Sequence, residues 1–173
     1  AVLGRDDPGA WAQQSHVRGK LISFGLSPLP VDQEGIFVQD GCIYARLFEP
    51  VGDMAALAGR DEFLLPTSSI KLRGEHNLQN VLAACAVSMA LRLPVEAIKK
   101  GVEGFTGVAH RLEFVRTWGG ADWYNNSIAT APERTIAAIR SFEEPLVLLA
   151  GGRDKNLPWE TFAEEVYRRV DHL

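Results

Sequence analysis

Asn77 and Asn80 lie three residues apart at the start of a run with helical spacing, so on a helix their amides share one face. Two neighbouring amides donate and accept together, which suits a base edge or a sugar. Equally, Asn77 can cap the helix and leave Asn80 as a polar first-turn residue. In His110-Arg111-Leu112-Glu113 the guanidinium can take a phosphate through two parallel bonds, or stay in solvent beside Glu113. Asn125-Asn126-Ser127-Ile128-Ala129-Thr130 runs from a strand pattern into a helix start, where backbone N–H groups favour anions. Gly151-Gly152-Arg153-Asp154-Lys155 follows an apolar run, the place where open α/β sheets take ligands. There Lys155 can hold a carboxylate with Asp154 orienting it, or the segment can be a polar loop that needs two glycines to turn. His16, His76, His110 and His172 show no metal-ligand spacing. The chain carries neither G-x-S-x-G nor the phosphate loop G-x-x-x-x-G-K-[ST].

The elements that must position these groups fall into two patterns. Residues 1–3 and 20–24 read as strands. Residues 35–39 and 42–48 flank Asp40-Gly41, a strong hairpin signal because the tight turn needs positive φ. Residues 49–60 read as a turn and a weak helical stretch, and 62–66 as a short strand. The spacing of Val81, Leu82, Ala84, Cys85, Val87 and Leu91 predicts a helix over 77–91. Pro94 suits the first turn of another over 95–103. Beyond Gly104, residues 112–115 and 122–124 predict a hairpin across Gly119-Gly120, and Thr130-Ala131-Pro132-Glu133 reads as a capping box for a helix to about 142. Residues 145–150 form an apolar run of the kind buried in a parallel sheet, and a last helix is expected over 157–170. A boundary near Gly107-Val108-Ala109 divides the chain into domains at 1–108 and 109–173.

Composition sets limits on the whole. The chain has 173 residues, is 46% hydrophobic and 23% charged, and carries a net charge of −4. Those values exclude disorder and collagen-like repeats, and no apolar run approaches a membrane span. A mildly acidic chain has no general attraction for nucleic acid or anionic lipid. Cys42 and Cys85 offer no disulfide framework and fit a reducing cytoplasm. Residues 1–3 read as an interior strand and 168–173 as a helix end, so both ends look cut and the chain is expected to be a piece of a longer protein.

Four segments, in order, resemble the Mur ligase family, the ATP-dependent amino-acid ligases of peptidoglycan precursor synthesis. They are Gly74-Glu75-His76-Asn77-Leu78-Gln79-Asn80, the run from Phe105 to Glu113, Tyr124 to Thr130, and Gly151 to Lys155. Val2-Leu3-Gly4-Arg5-Asp6-Asp7-Pro8 also resembles the family's central domain. The resemblance implies an α/β fold: the second part of a central ATPase domain, with mixed β hairpins and helices, then the first half of a Rossmann-like glutamate-binding domain. Within the family, His-Arg-Leu-Glu and Gly-Gly-Arg-Asp-Lys are similar to members that add D-glutamate to UDP-N-acetylmuramoyl-L-alanine. The implied chemistry is phosphorylation of the alanine carboxylate by ATP, with Mg2+ bridging the phosphates, and attack of the glutamate amine on the acyl phosphate.

By position, the resemblance assigns Asn77, Asn80, Arg111 and Asn126 to the nucleotide. Ser127, Thr130, Asp154 and Lys155 go to the substrate, Arg111 and Lys155 are the catalytic side chains, and no residue is a metal ligand. Asn126 and Ile128 stand where the family commonly has Asp and Lys. The implied parent is a cytoplasmic monomer acting on small molecules. The alternatives are a ligase for L-glutamate, a folylpolyglutamate-synthase-like ligase, and a non-catalytic binding module of the same fold.

Overall fold

The computed structural model describes residues 1–47, 59–153 and 155–173. The weak helical stretch expected over 49–60 therefore lies almost wholly outside the described residues. The chain divides into two units, one formed by Ala1–Lys71 and Asn77–Phe105, the other by Leu72–His76 and Thr106–Leu173.

The first unit is built on a five-stranded mixed sheet in sequential order, β1 (Val2–Gly4), β2 (Ile22–Gly25), β3 (Gly35–Gln39), β4 (Cys42–Arg46) and β5 (Asp61–Pro66). The first three strands run parallel and the last two antiparallel. Asp40 and Gly41 have φ of 49° and 70°, the left-handed pair a two-residue hairpin demands. A short helix α1 (Pro8–Trp11) lies between β1 and β2 where the sequence suggested only a turn. Asp7 caps it, its Oδ1 accepting from the Ala10 N–H at 2.7 Å, and Pro8 enters where no intrahelical N–H is needed.

Helices α2 (Glu75–Ala90) and α3 (Val95–Gly104) follow the strands. α2 ends with Arg92 in the left-handed region at φ 61°. There the Leu93 N–H reaches the Ser88 carbonyl at 3.0 Å and the Arg92 N–H that of Met89 at 2.9 Å, a Schellman closure made without glycine. The buried set of the unit includes Ile36, Phe37, Ile43, Leu64 and Leu65 from the sheet and Leu82, Cys85 and Met89 from α2. Burial pushes the Cys85 thiol up to about 11, so it packs as a small apolar group.

The second unit opens with a hairpin, β6 (Glu113–Trp118) and β7 (Ala121–Asn125), turned by Gly119 and Gly120 at φ 63° and 80°. Helices α4 (Pro132–Ile139) and α5 (Glu160–Arg169) pack on each other. Glu165, 4% exposed, joins them by accepting from Arg140 at 2.8 and 3.1 Å and from Arg168 at 2.6 Å. The Arg73 guanidinium lies 4.9 Å from the Phe142 ring centre and 5.6 Å from that of Tyr124. It also donates to both Glu144 carboxylate oxygens at 3.1–3.2 Å, which seats the 72–76 segment within this unit.

Two local expectations are corrected. Residues 145–150 form no strand, only an isolated parallel bridge between Val147 and His172, and Val147 and Leu149 are 68% and 81% exposed. A parallel strand of that kind needs strands to pair with and helices over both faces, and the described residues supply only the bridge to His172. The capping box does not form either. Ala131 occupies the cap with no side-chain bond, because Pro132 takes the first helical position and leaves Thr130 one residue too early.

Gly35 sits opposite Ser23 in the β2–β3 ladder, and an added Cβ would overlap the Ser23 carbonyl oxygen. Gly35→Ala in the full-length protein should therefore cost about 1–3 kcal/mol, read as a lower denaturant midpoint at unchanged slope.

Candidate anion site around Arg111

The expected residues belong to both units, Asn77 and Asn80 to the first and the others to the second. Asn77 and Asn80 face each other on the first turns of α2, the Asn80 amide donating to Asn77 Oδ1 at 3.4 Å. Asn77 is buried, at 8% exposure, while Asn80 is exposed. Since α2 begins at Glu75, Asn77 is the third residue of the helix and not its cap. The helical spacing does bring the pair together.

Arg111 occupies a tight turn between α3 and β6, exposed to solvent. Its neighbours His110 and Leu112 both have left-handed backbone, at φ 66° and 47°, which is unusual for residues with side chains of this size. Each is held by a side chain. The His110 N–H donates to Glu113 Oε2 at 2.7 Å, and the Leu112 N–H donates to Asn126 Oδ1 at 3.0 Å. The Arg111 N–H closes the turn on the Val108 carbonyl at 3.1 Å.

The loop after β7 is stitched to this turn. The His110 carbonyl accepts from the Ile128 N–H at 3.2 Å, and the Asn125 amide nitrogen sits 2.8 Å from His110 Nδ1. Because Asn125 Oδ1 accepts from the Ser127 N–H at 3.1 Å, its NH2 must face the ring. The network thus assigns Nδ1 as acceptor and puts the ring proton on Nε2. The N–H groups of Ala129 and Thr130 close on the Asn126 and Ile128 carbonyls at 2.9 Å each. Four consecutive loop N–H groups are therefore used internally, and the expectation that this backbone serves an anion is corrected. The Ser127 and Thr130 side chains remain exposed.

Lys155 is exposed on the loop before α5, and among the described residues no hydrogen bond links it to the Arg111 turn. Asp154 lies outside the described residues. His110 and Asn125 are working parts that a residue-type reading of the motifs left without a role, and Glu113, expected only as a neighbour of a solvated Arg111, holds the His110 N–H instead. Their signal was only their presence inside the two motifs, because their work is to hold backbone. His76 completes the surroundings of Arg111. Its pKa lies below the usual 6.5, first through burial and then through the Arg111 charge.

A histidine whose folded pKa is lowered takes its proton more readily when unfolded. Its stabilising contribution is complete above pH 6.5 and is lost as pH falls from there through the folded value. Glu144 and Glu165 have lowered pKa values, chiefly through hydrogen bonds from Arg73 and Arg140 respectively, so their contribution is lost only below 4.5. The midpoint of thermal unfolding should decline first below pH 6.5, and His76→Gln should flatten that upper segment alone.

No family model matches the chain. The curated UDP-N-acetylmuramoylalanine–D-glutamate ligase of Symbiobacterium thermophilum is 36% identical to it over 173 residues, 99% of this chain and 36% of that protein. The ligase of the same name from Pelotomaculum thermopropionicum is 37% identical over 173 residues, 100% of this chain and 35% of its own. That from Clostridium novyi is 46% identical over 123 residues, 70% of this chain and 26% of its own. The chain thus spans about a third of the length of curated relatives that match it end to end. A crystal structure of MurF from Acinetobacter baumannii superposes with a TM-score of 0.56 at 22% identity, over 82% of this chain and 28% of MurF. Similarity sustained from end to end, on a fold shared with a solved Mur ligase, places this chain in the Mur ligase family.

Proposed function

We propose that the chain is part of an ATP-dependent ligase that joins D-glutamate to UDP-N-acetylmuramoyl-L-alanine through an acyl phosphate. The observation that carries this reading is identity of 36% along 99% of the chain to a relative whose name states that activity. The reaction is assigned to the cytoplasm, with a monomeric parent acting on small molecules and on neither nucleic acid nor membrane. No helix among the described residues is long and apolar enough to cross a membrane.

The chain's own donors suit a nucleotide. The Asn77–Asn80 pair combines donors and acceptors for a base edge or ribose hydroxyl, and Asn126 is assigned to the same ligand. The exposed Arg111 guanidinium has the planar fork that grips phosphate oxygens. When bound, ATP supplies the phosphoryl group that activates the carboxylate. Ser127 and Thr130 present hydroxyls, and Lys155, with Asp154 beside it, is assigned to a glutamate carboxylate. Among the described residues no three His, Cys, Asp or Glu side chains gather as a metal site; Mg2+ is assigned with the ATP phosphates, and no step is routed through it.

The test mixes the full-length protein with UDP-N-acetylmuramoyl-L-alanine, ATP, Mg2+ and either D- or L-glutamate, and weighs the product. Condensation with D-glutamate alone is expected. Product from L-glutamate instead would keep the ligase and change its substrate, and no product from a folded, ATP-binding protein would favour a binding role. Lys155→Met should raise the KM for glutamate on the order of tenfold or more, as loss of a charged hydrogen bond does, while leaving the KM for ATP near its starting value. The 173-residue chain alone, which lacks the phosphate loop, should not turn over ATP.

A further inference from the structure

We propose that Glu113, Asn125 and Asn126 are positioning residues that hold Arg111 in place for its anion. The inference deepens the reading of this site as a phosphate site and rests on it. Three consecutive N–H groups in the turn, those of His110, Arg111 and Leu112, are bonded to Glu113, Val108 and Asn126. Those three backbone donors are therefore spent on structure, and what this stretch presents is the Arg111 side chain. Two adjoining residues are kept in the left-handed region, at φ 66° and 47°, a conformation that costs of order 1 kcal/mol or more each and persists only when its surroundings hold it. The carboxylate of Glu113 holds one and the amide oxygen of Asn126 the other. Asn125 locks the His110 ring while its own oxygen fixes the start of the 126–130 loop.

Asn126 thereby acts on the nucleotide through Arg111. Its oxygen is engaged 3.0 Å from the Leu112 N–H, a bond that either Asn or Asp can accept. The neutral amide at a position where an acid is commonplace in the family thus keeps the one atom this role needs.

The test uses the full-length protein in two arms. Amide hydrogen exchange over residues 108–114 should accelerate in Asn126→Leu and Glu113→Ala, and return toward the original rate in Asn126→Asp and Glu113→Gln, which keep an acceptor oxygen. The KM for ATP should rise roughly three- to tenfold in the first pair and recover in the second. In an Arg111→Ala background that penalty should vanish, because positioning has nothing left to position. A penalty that persists undiminished without Arg111 would overturn the proposal and make Asn126 a direct contact. Unchanged exchange in Asn126→Leu and Glu113→Ala would overturn it as well. If the protein does not use ATP, the functional reading fails, and the exchange arm by itself decides whether these side chains hold the turn.

Discussion

A left-handed backbone at a leucine and a histidine is the constraint around which the second unit's loops are arranged. Such residues stay there only when their surroundings hold them. Glu113 and Asn126 capture them from opposite sides, one from the strand that follows the turn and the other from the loop after β7. Hairpin β6–β7 is what makes this possible. Its register pairs Glu113 with Asn125, bringing the carboxylate and the first loop amide to the same end of a two-stranded ladder. The loop then closes on itself and on the His110 carbonyl, so its own donors are spent on structure.

The same unit shows how charge is used when little apolar surface is at hand. Trp118, Phe114 and Val115 remain more than half exposed, and the packing is organised by arginines instead. Arg73 sits against two aromatic rings and pairs with Glu144. Glu165, almost fully buried, is satisfied by two arginines whose own side chains stay largely in solvent. That geometry avoids the main penalty of a buried carboxylate, since the partners keep their hydration while the acid receives three donors. In the first unit the buried ion has another role. Arg46 pairs with Asp61 at 2.6 and 3.0 Å, donates to the Pro30 carbonyl at 2.8 Å, and lies 5.5 Å from the Phe37 ring centre. It ties the antiparallel edge of the sheet to the segment that enters β3.

Legibility from sequence followed locality. Asp40-Gly41 and Gly119-Gly120 marked their hairpins because a two-residue turn with positive φ is a nearest-neighbour requirement. The apolar spacing from Val81 to Leu91 marked α2, though the helix starts at Glu75, two residues before the expected Asn77. Thr130-Ala131-Pro132-Glu133 misled because two local signals competed, and Pro132 at the first helical position moved the cap to Ala131. The apolar run at 145–150 misled for a different reason. Its composition states what it would bury, but burial requires elements packed over both faces.

Sequence alone determined the order of elements, the two hairpin turns, the shared helical face of Asn77 and Asn80, and the motifs that carry the family resemblance, since each depends on residues within a few positions of one another. Tertiary structure alone decided that Asn126 reaches Leu112 and that Asn125 reaches the His110 ring. Those bonds depend on hairpin register and on two loops meeting, since residues 112 and 126 are 14 apart in the chain and 110 and 125 are 15 apart. No periodicity encodes such a meeting. It exists because β6 and β7 pair, and the pairing brings Asn125 and Asn126 to the backbone and ring that flank Arg111.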